Sequence, residues 1–91
     1  MARATPLETD PIRLDFRKLR QRRRLLDMSQ TTLAAHAGVH RNVVSHWERG
    51  RRIPSTLELA RAARALGTPL WDLFDVVDPE GNPVPWRGAR R

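Results

Sequence analysis

"SQTTLAAHAGVHRNVVSHWERG", residues 29–50, is the stretch whose reading decides the fold of this chain. Apolar residues recur at helical spacing on both sides of Gly38, yet a glycine inside a helix costs about 1 kcal/mol relative to alanine. A sharp turn between two short helices resolves the conflict, with Gly38 supplying the backbone freedom the turn requires. Ser29 is a good N-cap for the first of them, which runs through Leu33, Ala34 and Ala37. The second covers about residues 40–48, with Val39, Val43, Val44 and Trp47 as its apolar set, and Gly50 fits a C-terminal cap.

Upstream, "DPIRLDF" reads as the opening of another helix. Asp10 can cap it, and Pro11 suits its first position because the missing N–H would be unpaired there anyway. Ile12, Phe16, Leu19, Arg23 and Leu26 then fall on one stripe, of which Arg23 alone is not apolar. Downstream, Ser55 and Glu58 form a capping box, so a fourth helix starts there, presents Leu59, Ala63 and Leu66, and ends at Gly67. "PLWDLF" after it predicts a short fifth helix that tucks in Leu70, Leu73 and Phe74. Beyond this, "DPEGNP" is dense in turn formers and flanked by Val76–Val77 and Val84, the pattern of a small hairpin or an irregular arm. Pro83 and Pro85 argue against a central strand there and allow an edge. The expected organisation is a disordered segment 1–9, a helical domain 10–75 and a C-terminal arm 76–91 that ends in the basic residues Arg87, Arg90 and Arg91.

Ninety-one residues make one small domain with a modest core. Without cysteine there is no disulfide framework and no thiolate zinc site. No apolar run is long enough for a membrane span, and "MARATPLETDP" lacks the apolar region of a secretory signal, so a cytoplasmic protein with no membrane partner is expected. His36 and His40 are four apart but straddle Gly38, so they share no helical face, and no metal is expected. Asp72, Asp75 and Asp78 have no partner base or phosphate loop nearby. The sequence therefore predicts neither an enzyme nor a bound cofactor.

Charge is the strongest compositional signal. The formal net charge is +7, and it is unevenly spread. Residues 11–52 hold eleven basic and three acidic side chains, a net of +8, whereas residues 56–85 hold two basic and five acidic ones, a net of −3. A basic front and an acidic back suit a polyanion engaging one face. Sixteen of the seventeen cations are arginine, which also fits a solvated surface in an arginine-favouring proteome.

Gln30 opening the motif, small Ala34 at the helix crossing, Gly38 at the turn, the core set Leu33, Ala37, Val44 and Trp47, "WERG" followed by a basic pair, and "LARAARALGTPLWDLF" together resemble the helix-turn-helix domain of the phage repressor and Cro (XRE-like) family. The resemblance covers about residues 12–74. It implies an all-α, five-helix, lambda-repressor-like domain, here with the short irregular or hairpin arm. It also implies that the helix at 40–48 enters the DNA major groove with its N-terminal residues toward base edges. Arg41, Asn42, Ser45 and His46 would then face the bases; arginine suits guanine, asparagine suits adenine. Gln30, Arg49, Arg51, Arg52 and Arg24 would serve the DNA backbone, with Arg17 and Arg20 as further candidates. The alternative for these side chains is an ordinary exposed polar surface. Arg23 and Glu48 stand where the family joins its first and third helices by a partly buried ion pair. His40 replaces the usual serine or threonine cap, which implies a weaker cap, and Arg22 replaces a frequent leucine.

The implied function is a sequence-specific transcriptional regulator, a repressor that binds a palindromic operator in double-stranded DNA as a homodimer. Trp71, Val76, Val77, Val84 and Trp86 are the apolar candidates for the dimer contact. The competing reading is an antitoxin-like or adaptor protein whose main partner is another protein, a toxin or a regulator.

Overall fold

The computed structural model describes residues 11–84. The expectations for Asp10, for the segment 1–9, and for Trp86, Arg87, Arg90 and Arg91 lie outside them. In chain order the elements are β1 (Arg13–Asp15), α1 (Arg17–Leu25), α2 (Gln30–Ala37), α3 (Arg41–Glu48), α4 (Thr56–Leu66), a 3-10 turn (Leu70–Leu73) and β2 (Asp75–Val77). Two corrections to the five-helix expectation follow from this order.

The first concerns the N-terminus. Residues 12–16, Ile-Arg-Leu-Asp-Phe, fit one stripe of a helix, but they also alternate apolar and polar with the period of a strand. The strand prevails because a partner is available: Arg13, Leu14 and Asp15 pair antiparallel with Val77, Val76 and Asp75. The helix then starts at Arg17, where the Asp15 carboxylate accepts the Arg17 backbone N–H at 2.9 Å and its guanidinium Nε at 2.8 Å. Pro11 therefore does not open a helix. Ile12 is 51% exposed and Leu26, just past α1, is 44% exposed, so the inward stripe is Phe16, Leu19 and Arg23 alone.

The second correction is that "PLWDLF" forms only four residues of 3-10 helix, so the fold has four α-helices rather than five. Phe74 is already extended, at φ −149° and ψ 161°, and leads directly into β2. Its ring lies 5.6 Å from that of Phe16, which ties the end of the 3-10 turn to the start of α1. The turn-rich segment after β2 folds back on it. Asp78 N–H donates to the Asn82 carbonyl and Val84 N–H to the Val76 carbonyl, and Val77 bridges Pro83.

The central helices end where local chemistry dictates. The Ser29 hydroxyl accepts the Thr32 N–H, and Ser55 with Glu58 completes a reciprocal capping box. Gly38 adopts φ +75°, so that Val39 and Gly38 can return their N–H groups to the carbonyls of Ala34 and Ala35. This redirects the chain from α2 into α3 without stranding the last carbonyls of α2. The core that results is built from Phe16, Leu19, Leu33, Ala34, Ala37, Val44, Trp47, Leu59, Ala62, Ala63, Leu66 and Leu73. Trp47 is wholly buried with its indole N–H unpaired, so it contributes volume rather than polarity.

Gly38→Ala forces a side chain into left-handed backbone and sets its Cβ about 3.2 Å from the Arg61 guanidinium. A loss of about 1–2 kcal/mol is expected in urea denaturation, with the midpoint rather than the slope moving. Asp15 gives a pH dependence. Burial pushes its carboxyl up, but the hydrogen bonds from Arg17, with the charges of Arg17 and Arg13, outweigh that and hold it below the ordinary carboxylate range. A depressed carboxyl stabilises the fold fully above its unfolded value and loses the contribution as pH falls through the folded one. Acid titration should therefore show wild type and Asp15→Asn separated above about pH 4 and converging as pH falls below the ordinary carboxylate range.

Candidate nucleic-acid interface

Helical periodicity sorts α3 into two faces. Val44 and Trp47 are buried and Val43 is half-buried, while Arg41, Asn42, His46 and Arg49 are exposed and Ser45 is half-buried. The N-terminus of α3 is closed by His40, whose Nδ1 accepts the Asn42 N–H at 3.0 Å. An imidazole that accepts at Nδ1 carries its proton on Nε2. The ring thus performs the capping that a serine or threonine hydroxyl would, an outcome that the residue type alone does not announce.

The angle of α3 to the rest of the domain is fixed by a buried polar network. Arg23 Nε donates to Glu48 Oε2 at 2.7 Å and a terminal guanidinium nitrogen donates to Oε1 at 3.0 Å, a bidentate pair. The other terminal nitrogen donates to the Met28 carbonyl at 2.8 Å. The Gln30 side-chain amide donates to Glu48 Oε1 at 3.1 Å. Arg23 and Glu48 are only 8% and 7% exposed, so each charge depends on the other for solvation. The network joins α1, the α1–α2 connection, the first residue of α2 and the last residue of α3.

Around this network a small cleft is lined by Arg20, Arg24, Gln30, Ser45 and Arg49, with Arg23 and Glu48 at its floor. Because Arg23 neutralises Glu48, the cleft keeps the charge of its three exposed arginines. Arg24, Gln30, Ser45 and Arg49 are thus brought together, while Arg41, Asn42 and His46 stand on the exposed face of α3. Arg51 and Arg52 are exposed just past Gly50. The candidate Arg17, and Arg22 beside the cleft residues in sequence, have different roles. Arg17 is held by Asp15, and Arg22, at the position where leucine is frequent, donates to the last carbonyl of α4, Leu66, at 3.1 Å. Among the described residues no group of three or more His, Cys, Asp or Glu side chains could hold a metal. Among them also, no helix is long and apolar enough to cross a membrane.

A Helix-turn-helix family model matches residues 19–71. The restriction-modification controller protein C.AhdI from Aeromonas hydrophila is similar at 36% identity, over 64% of this chain and 88% of that one, with a TM-score of 0.60. The clp gene regulator ClgR from Corynebacterium glutamicum matches at 32% identity over 63% of this chain and 61% of its own, also at 0.60. The P22 c2 repressor, solved in complex with synthetic operator 9T, matches at 30% identity over 63% of this chain and 86% of its own, again at 0.60. No curated protein gives a significant match.

Removing one partner of the buried pair should be costly. Glu48→Ala or Arg23→Ala is expected to destabilise the domain by about 3–5 kcal/mol, because the remaining charge stays buried. The double substitution should cost clearly less than the sum of the singles in denaturant titration. Strict additivity would show that the two charges are not coupled.

Proposed function

This chain belongs to the Helix-turn-helix family, of phage repressor and Cro type, and on that premise we propose that it is a DNA-binding transcriptional regulator that acts as a repressor. The observation that carries the reading is the exposed face of α3. Arg41, Asn42 and His46 project from a helix capped at its start by His40 and held at its end by Glu48. A rigid helix with long hydrogen-bonding side chains at its N-terminal end is what reading base edges in a major groove requires. Arg41 and Asn42 are assigned to base contacts, with Ser45 and His46 deeper along the groove. Arg24, Gln30 and Arg49 in the adjoining cleft, with Arg51 and Arg52 beyond it, are assigned to phosphates.

A four-helix domain of this size reads few base pairs, so the regulator works as a homodimer on a palindromic operator in double-stranded DNA. The helical domain 10–75 supplies the reading head, and the small sheet that joins β1 to the start of the arm 76–91 marks the end of the domain at which two copies meet. Within that arm Val77 is buried inside its own monomer and Val84 is bonded to Val76, so they stiffen this side rather than cover a partner. Trp71, 67% exposed on the 3-10 turn, is the large apolar side chain left open among the described dimer candidates. The protein-partner alternative, an antitoxin-like or adaptor role, has no specific feature among the described residues in its favour.

Selection of bound sites from a random duplex pool tests the reading. On the selected site Arg41→Ala and Asn42→Ala should each cost about 1–3 kcal/mol, and less on random DNA. Arg51→Ala should weaken both by similar factors. With about four phosphates neutralised per half-site, the log–log salt slope should be about −3 to −4. A flat salt response, or uniform losses for all three variants, would remove α3 as the reader.

A further inference from the structure

We propose that two copies of this chain pair through the outer edges of their β1 strands, antiparallel about a two-fold axis at Leu14. The proposal deepens the dimeric reading above and rests on it for its biological role, though the pairing itself can be tested without DNA.

The hydrogen-bond pattern shows which edge is open. Val76 accepts from Val84, and Asp78 donates to Asn82, so both turn their backbone groups toward the returning segment 82–84. Backbone groups alternate sides along a strand, so Asp75 and Val77 turn theirs toward β1, where they pair with Asp15 and Arg13. Leu14, opposite Val76, therefore points its N–H and C=O away from the sheet. Neither has a backbone partner among the described residues. The opposite edge is different in kind. There the outward-facing residue is Pro83, which has no N–H to offer. Among the described residues, the β1 edge is the side of the sheet that presents both a donor and an acceptor.

The sequence of that edge is self-complementary. Antiparallel pairing centred on Leu14 joins the two Leu14 residues by two backbone bonds. It sets Arg13 opposite Asp15 of the second copy, twice, at positions where facing side chains are closest. Centring the pair on Arg13 or on Asp15 instead places like charges face to face, and a half-step register turns the core-facing Leu14 outward. The charges thus select one register. Asp15 already accepts from Arg17, but a carboxylate has further acceptor sites for a second guanidinium. Leu14 packs against the core, so the pairing brings the two cores side by side. Three residues make a small contact. It is weak between free monomers and effective when two half-sites hold the copies together.

The test uses charge exchange in the full chain. Arg13→Glu and Asp15→Arg each place like charges opposite in a homodimer, whereas a 1:1 mixture restores two opposite pairs. The readouts are sedimentation equilibrium and the ratio of palindrome to single half-site affinity, each taken within the same protein so that altered net charge cancels. Each variant alone is expected to lose self-association and at least tenfold of that ratio, and mixing is expected to recover both. Unchanged single variants, or no recovery on mixing, would overturn the proposal. Should Asp15→Arg unfold by losing its contact to α1, visible in circular dichroism, Leu14→Cys replaces it in a chain that otherwise has no cysteine. Under oxidised glutathione it should form a disulfide-linked dimer, faster on a palindrome than on a half-site; a rate no greater than that of an Ile53→Cys control overturns the pairing. If no variant and no wild-type protein binds any duplex, the DNA reading fails while sedimentation and cross-linking still decide the pairing.

Discussion

One buried carboxylate holds α3 in place. Glu48 is the last residue of α3, and its two oxygens accept three hydrogen bonds, two from Arg23 on α1 and one from Gln30 at the start of α2. An apolar contact would give comparable cohesion, but it would let α3 rotate or slide by small amounts at little cost. A bidentate pair with a third donor tolerates neither, because any movement leaves a charge partly unpaired in a site with little water. The network therefore serves orientation more than net stability, and orientation is what a helix presenting side chains to fixed base positions requires. The same carboxylate lies at the floor of the arginine-lined cleft, so the buried network adjoins the proposed DNA face.

What could be read in advance was the chemistry that acts locally. The boundaries of α2, α3 and α4 follow from Ser29, Gly38, Gly50, the Ser55–Glu58 box and Gly67, each of which acts within a few residues of its own position. The split of α3 into an inward face of Val44 and Trp47 and an outward face of Arg41, Asn42 and His46 follows from the helical period. Arg23 on an otherwise apolar stripe required a partner, and resemblance supplied the position of one.

The remainder was not local. Residues 12–16 satisfy the patterns of a helix and of a strand equally, and the decision comes from Asp75–Val77, some sixty residues further on. "PLWDLF" is too short to hold an α-helix against the pull of the strand that follows it, which no pattern within those six residues reveals. In the site, the Gln30 amide bonded to Glu48, the His40 ring nitrogen used as a cap and Arg22 closing the end of α4 all depend on side-chain directions set by tertiary packing. A residue's type says which bonds it can make; its neighbours in space say which it does make.

The pairing of β1 with β2 has a consequence for the order of folding. The packing of α2 on α3 connects segments only a few residues apart in the chain, and such local contacts form early and fast. Joining Arg13 to Val77 closes a loop through the entire helical domain, and closure entropy makes it the slowest contact to collect on its own. Assembly of α1 to α4 shortens that search by bringing both ends of the domain to one place, where the Phe16–Phe74 contact and the Lys18–Asp75 ion pair at 2.9 Å can catch them. The small sheet is thus a late product of folding. A nascent or partly folded chain does not yet display the finished strand edge, so the proposed pairing of two copies would follow the completion of each core.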